Sequence, residues 1–567
     1  MKFSEMKYER PDFEKVKAEM TEHIAALTAA KSYKEAKAVF LKDQELSAHV
    51  MTAATLVSIR HSINTKDQFY DDEQKLWNNT MPLLQEYGQQ WNMALLQSPF
   101  RPQFEAEYGD LMFVNTEIAL RTFKPEIIPM LQEENQLADD YESLLASAQI
   151  PFEGGTYTLS QLTPFKNDAD DARRLAAWKA EGTWYKENQA KMDEIYDKLV
   201  HLRTEMGKKL GYNNYLPLGY DRMTRNCYTK EDIAKFRESV VKYLVPVVSE
   251  IYKEQAKRLG KEYPLSFADA ALSFRSGNPK PFGTPQQILE HGRTFYTELS
   301  EETEIFFNHM LEDELLDVLS TEGKASGGYC TEIPDYKTPF IFANFNGTQH
   351  DVEVVTHEAG HAFEVWMNRD RVPIDYHWPS MEACEVHSMS MEFFAWPWTD
   401  GFFGDDNRKY HYSHLAGALQ FIPYGTMVDH FQHSVYENPD WTPRQRHDEW
   451  KRLLGVYMPW MKLDGDIPFY ADGEVWQRQH HIYSSPLYYI DYCLAQTVAL
   501  EFWAMIQKDV NAAWDKYMAY TVLGGSKTFT DLLASAGLVS PFDEECLRTV
   551  CSDADKWLKE YDLSGIA

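Results

Sequence analysis

The sequence predicts a mainly α-helical protein with a few short strands in its middle. Apolar residues recur at helical spacing through most of the chain, β-prone runs are few and brief, and turn residues gather in only a few places. In the first 150 residues, Phe13, Val16, Met20, Ile24 and Leu27 fall at i, i+3/i+4 spacing with Lys and Glu between them. Similar stripes run through 34–60, 73–97 and 126–148. Gly154-Gly155, set between β-prone residues from Ile150 to Leu159, predicts a short hairpin. Long charged helical patterns resume at 167–210 and 229–260. Pro279, Pro281 and Gly283 mark a loop that ends in Thr284-Pro285-Gln286-Gln287, a helix-start signature with Pro at the first helical position. A second glycine-rich loop, Gly323 to Tyr329, leads into Pro339–Phe345, an apolar run that predicts a strand.

Immediately after that strand stands Val354-Val355-Thr356-His357-Glu358-Ala359-Gly360-His361, an HExxH sequence. Two histidines four apart share one helical face and can hold a single Zn²⁺, while the Glu beside the first can reach a water on it. Thr348-x-x-Asp351 predicts the capping box that starts this helix. A catalytic zinc needs a third protein ligand and one open position. Spacing offers Glu364, Glu382, Glu385 and Glu392. Glu364 lies one turn past His361, too far along the axis to close a tetrahedron with both histidines. Residues 380–394 predict a second helix on which Glu385 and Glu392 share a face two turns apart. One could bind metal and the other orient a ligand histidine. Spacing alone does not choose between them.

Composition narrows the partners. Of 567 residues, 87 are acidic and 56 basic, for a net charge of −31, which argues against nucleic acid and against an anionic membrane surface. Hydrophobic residues at 44% are ample for a large core. No run approaches the ~20 apolar residues of a transmembrane helix, and charges recur too often near Met1 for a signal peptide. The six cysteines show no CxxC pairing and read as reduced thiols, so the expected location is the cytoplasm. No feature of the sequence speaks to oligomeric state.

His357-Glu358-Ala359-Gly360-His361 followed about 24 residues on by Glu385-Val386-His387-Ser388 resembles the thimet oligopeptidase and oligoendopeptidase F family of zinc peptidases. Gly327-Gly328-Tyr329-Cys330 through Phe345-Asn346-Gly347-Thr348 is similar to the family's loop and edge strand ahead of the zinc helix. Asp168 to Tyr215, with Gly207-Lys208-Lys209-Leu210-Gly211-Tyr212, resembles its helical lead-in, so the likeness spans about 165–550. The resemblance implies Glu385 as third ligand, Glu392 as the acid behind a ligand histidine, and one Zn²⁺ per chain. It also implies a two-lobed helical body enclosing a deep substrate channel, with a small sheet beside the zinc helix. The expected division is an N-terminal helical wall over 1–165 and a catalytic region over 166–567.

His480-His481-Ile482-Tyr483 through Tyr489-Ile490-Asp491-Tyr492 resembles the family's substrate-facing segment, with a one-residue offset. His481-x-Tyr483 fits the oligoendopeptidase F version better than His480 does. His481 and Tyr492 are therefore the implied catalytic donors; Tyr483, Tyr489 and His480 join Gly327, Gly328, Tyr329 and Phe342 as implied substrate contacts. The residues 340–345 are expected to offer an exposed strand edge to an extended peptide, with the glycines allowing close backbone approach. The implied function is hydrolysis of internal bonds in short unstructured peptides, by a metal-activated water with Glu358 as general base. A dipeptidyl carboxypeptidase of the same fold and a catalytically silent peptide-binding protein are the competing expectations.

Overall fold

A computed structural model describes residues 1–321, 323–325, 327–463 and 467–566; residue 326 of the second glycine-rich loop thus lies outside the described residues. In chain order, the elements that matter are helices α1 (Phe13–Ala29), α2 (Tyr33–Ile63), α3 (Gln68–Leu96) and α4 (Ile128–Ala146), then the hairpin β1 (Ile150–Phe152) and β2 (Gly155–Tyr157). The 40-residue α5 (Asp171–Leu210) follows, then β3 (Leu316–Leu319), β4 (Tyr329–Ile333) and β5 (Thr338–Phe345). Helices α6 (His350–Asn368), α7 (Met381–Phe394), α8 (Asn407–Glu437) and α9 (Tyr489–Ile506) complete the set. Mainly α with small sheets is the fold class the periodicity predicts.

Local chemistry starts these helices where the sequence places their signals. Asp12, Ser32, Asp67 and Asp170 each accept from backbone N–H groups of the first turns of α1, α2, α3 and α5. Thr284 and Gln287 close the predicted capping box reciprocally. The helix expected over 229–260 is interrupted: Lys230–Ser239 passes through a wide π-turn at Val240–Leu244 before Val245–Leu259. Pro246 cannot donate the next helical bond, and one extra residue per turn absorbs the loss.

The chain forms two compact units, each discontinuous in sequence. One gathers Met1–Arg121, Lys280–Asn407 and Met505–Leu538; the other gathers Thr122–Pro279, Arg408–Ala504 and Val539–Ala567. In the first, α1, α2 and α3 pack together, and the three-stranded sheet lies beside α6, which packs on α7. The sheet order is β3-β5-β4, with β3 parallel and β4 antiparallel to β5. The expected exposed edge is thus corrected: 340–345 belongs to the central strand, bonded on both sides, and the adjoining edge is β4. A continuous apolar run is what a strand covered all round requires. The more polar Tyr329–Ile333 carries too little pattern to announce itself.

Candidate metal centre

Helices α6 and α7 pack so closely that a Cβ on Gly360 would lie 2.7 Å from the Ser388 Cα and 2.8 Å from the His387 carbonyl oxygen. Gly360 sits between the two histidines of the motif, and its missing side chain lets the α7 backbone approach there. As a result His357, His361 and Glu385 bring ligand atoms within 4.8 Å of one another, the one such group found among the described residues. Glu385 Oε2 lies 3.4 Å from Nε2 of both histidines. Ser388 Oγ donates to Glu385 Oε2 at 3.1 Å and so fixes the carboxylate.

Glu392, two turns along α7, accepts from His357 Nδ1 at 2.7 Å. That bond places the His357 proton on Nδ1 and turns the Nε2 lone pair towards the Glu385 oxygen. Two imidazole nitrogens and one carboxylate oxygen then face each other as lone-pair donors, a set that fits a zinc-type cation. Burial opposes charge on His357, but Glu385 and Glu392 outweigh it and hold its pKa well above the ordinary histidine range. Burial also opposes charge on Glu385, yet His361 and His357 pull its pKa far below the usual carboxylate range. Excess negative charge is concentrated where a cation would sit.

Glu364 stays outside the group. It is buried, accepts from Asn368 Nδ2 at 3.0 Å, and burial with the nearby Glu332 drives its pKa well up. Asp351 does not complete a capping box: α6 begins at His350, and the Asp351 carboxylate instead accepts from Asn346 N at 2.9 Å and Gly347 N at 2.7 Å. The turn before the helix is tied down by the same residue, used differently.

Gly328 borders the motif, since a Cβ there would lie 3.3 Å from the Phe342 carbonyl oxygen and 3.9 Å from Glu358 Oε1. The Gly327 carbonyl oxygen accepts from Asn344 Nδ2 at 2.9 Å. Tyr329 stacks on its cross-strand partner Phe342, with centroids 4.9 Å apart. The Phe342 side chain is fully buried and packs beneath Tyr329.

The aromatic segment belongs to the second unit and is described within it. It is no continuous helix. A short turn of helix, His480–Ser484, ends at Ser485-Pro486-Leu487, and α9 begins at Tyr489. Leu487 has φ 68, a conformation that a bulky residue rarely adopts unaided. Buried partners hold it: Gln432 Oε1 accepts from Leu487 N at 2.9 Å, and Arg225 donates to the Leu487 carbonyl and, at 2.9 Å, to Asp491 Oδ1. Arg203, itself paired with Glu134, donates to the carbonyls of Ile482 and Tyr483. His481 lies among Tyr488, Tyr489 and Tyr492, at centroid distances of 5.7, 5.0 and 5.8 Å. His480 instead meets Tyr141 edge-on. Tyr483 is fully buried and stacks on Tyr141 at 3.7 Å. None of Gln432, Arg225 or Arg203 is visible as a site residue in the sequence, because each acts across a long separation and belongs to no motif.

The model of peptidase family M3 matches residues 165–551, and that of the peptidase M3 N-terminal domain matches 3–123. The chain belongs to peptidase family M3. That agrees with the resemblance carried by the motifs, and it reaches an N-terminal region the motifs did not cover. The M3 chain is 44% identical to Pz peptidase A, solved with an inhibitor, over 99% of this chain and 100% of that one, with a TM-score of 0.94. It is 43% identical, over 99% of both chains and with a TM-score of 0.90, to a Bacillus anthracis protein provisionally assigned as an oligoendopeptidase F. It is also 22% identical over 396 residues to an oligoendopeptidase F homologue of Borreliella burgdorferi, matching 68% of this chain and 64% of that relative, so under two thirds of the relative's length is spanned. No helix among the described residues is long and apolar enough to cross a membrane.

Proposed function

We propose that this protein is a zinc-dependent oligoendopeptidase that hydrolyses internal bonds of short unstructured peptides in the cytoplasm. One observation carries the reading: His357 and His361 of α6, the helix that also presents Glu358, bring ligand atoms within 4.8 Å of Glu385 on α7. These three would hold Zn²⁺, with Glu392 fixing the His357 tautomer. When bound, the metal supplies Lewis acidity and brings the pKa of a water towards about 7. Glu358 takes the proton of the attacking water and passes it to the leaving amine. The position of β4 at the edge of the sheet, next to Gly328, supports a substrate bound in extended form, through main-chain bonds that carry little side-chain preference. The M3 resemblance assigns Tyr492 and His481 the part of hydrogen-bond donors to the scissile carbonyl, with Tyr489 and Tyr329 as neighbours of the substrate.

The test uses one peptide in free and C-terminally amidated forms, cleaved by the zinc-loaded protein and analysed by mass spectrometry. An endopeptidase cleaves both at the same internal bond, and chelation stops both. Loss of cleavage on amidation would instead point to an enzyme that grips a free carboxylate. Equal cleavage with and without chelator would sink the metal reading.

A further inference from the structure

Gln479 separates two half-buried rings of the second unit and bonds to both. Its Oε1 accepts from Tyr424 Oη at 2.7 Å, and its Nε2 meets His481 Nδ1 at 2.9 Å. An amide has a fixed polarity, with an acceptor at one end and donors at the other. Which end faces the histidine therefore decides where the imidazole keeps its proton.

Tyr424 decides which end. Burial pushes its pKa up to about 12, so it remains a phenol carrying a proton that needs an acceptor. Among the described residues the acceptor it has is Gln479 Oε1. Turning the amide round would present N–H to the phenol oxygen and take away the acceptor of its O–H, at a cost of about 1 kcal/mol. With the amide held this way, Nε2–H points at His481 Nδ1, which must then accept.

We infer that Gln479, oriented by Tyr424, is a positioning residue that holds His481 as the neutral Nε2–H tautomer. This deepens the proposed function and rests on its assignment of His481 as a donor. A neutral ring with its proton on Nε2 can donate to a carbonyl without needing acid pH. Gln479 and the phenols of Tyr488, Tyr489 and Tyr492 face His481; Arg478 supplies the nearby positive charge felt by Tyr424 and Tyr489. The contact at His481 Nδ1 is with an amide nitrogen, whereas Nδ1 of His357 meets the Glu392 carboxylate, which claims its proton.

Exchanging the amide for a carboxylate inverts the logic. In Gln479→Glu the new oxygen accepts from Nδ1–H and stabilises the imidazolium. At low pH the charged ring still donates from Nε2. As pH rises through the raised histidine pKa, the remaining proton settles on Nδ1 and the Nε2 donor is lost.

The experiment measures kcat/KM of the zinc-loaded protein between pH 6 and 9 on a fluorogenic peptide, together with histidine ¹⁵N shifts assigned by loss of the His481→Ala signal. In wild type, Nδ1 of His481 should be unprotonated at pH 8. Gln479→Glu should acquire a new fall of about 10²-fold on the basic side, the usual loss for one such donor, while staying within a few-fold of wild type at pH 6. Tyr424→Phe keeps the ring and removes the proton that orients the amide, so part of the Nδ1–H tautomer should appear even if Gln479→Glu does not fold. A protonated Nδ1 in wild type overturns the inference. So does a Gln479→Glu profile superimposable on wild type when His481→Ala is damaging. If His481→Ala cleaves like wild type, the assigned role of His481 fails, and the ¹⁵N shifts still decide the tautomer separately.

Discussion

The α6–α7 pair of the first unit and the His480–Tyr492 segment of the second present histidines by opposite means. On α6 the spacing of His357 and His361 is a property of the helix, and a single missing Cβ at Gly360 sets how near α7 comes. The second segment is broken by Pro486 and carries Leu487 at positive φ, so no regular element fixes its side chains. Arg225, Arg203 and Gln432, brought from distant parts of the chain, hold it through its backbone. Local periodicity builds one, and buried long-range polar contacts build the other. Mutations should therefore damage the first through chemistry and close packing, and the second through stability.

The largest effect is expected at Glu358. Glu358→Gln should lower peptide cleavage by about 10²–10⁴-fold while zinc content, measured by metal analysis, stays at one per chain. A variant that binds zinc and cleaves like wild type would remove the chemical half of the contrast. Next comes Arg225→Met. It leaves Asp491 buried without its partner (both side chains are 0% exposed), and breaking such a pair costs about 3–5 kcal/mol. Urea unfolding should show that loss with zinc content unchanged in the folded protein; a loss of zinc at unchanged stability would contradict the division of labour.

The brace at Arg203 makes the contrast depend on pH. Burial opposes charge on Glu134, but Arg203 and Arg222 lower its pKa from 4.5 to about 2. A depressed folded-state pKa stabilises fully above the unfolded value of 4.5 and is lost as pH falls towards 2, for a total of roughly 3 kcal/mol. Glu134→Gln should be less stable at pH 7, and the gap to wild type should narrow between pH 4.5 and 2. A gap that stays constant with pH would show that Glu134 acts through shape rather than charge. The smallest expected change is at Gly360. Gly360→Ala should favour the helix by its propensity yet push α7 away, weakening zinc about 10–100-fold by competition with a chelator, the range for disturbed ligand support. Unchanged affinity would mean that the close approach of α7 is not what brings Glu385 to the histidines.

Much of the first region can be read from residues alone. HExxH implies a helix and a metal face, and the strand before it is apolar enough to recognise. The choice among Glu364, Glu382, Glu385 and Glu392 came from resemblance, because a period of 3.6 shows which residues share a face but not which face meets a neighbour. The start of α6 was misread for a related reason: Asp351 has the right spacing for a capping box, but its carboxylate finds the Asn346 and Gly347 amides instead. β5 was recognisable as a strand, but whether a strand lies at an edge depends on its partners. Here β3 and β4 supply them from sequences too short to show a pattern.

The sequence by itself determined the helical class, the two histidines and the acid beside them, since all three follow from short-range periodicity and residue chemistry. Tertiary structure alone decided that Glu385 meets both histidines, that His481 and His480 face different neighbours, and that Gln479 presents its amide nitrogen to His481. Each of these depends on which buried polar group finds its partner across the fold, and that pairing is set by packing rather than by any spacing along the chain.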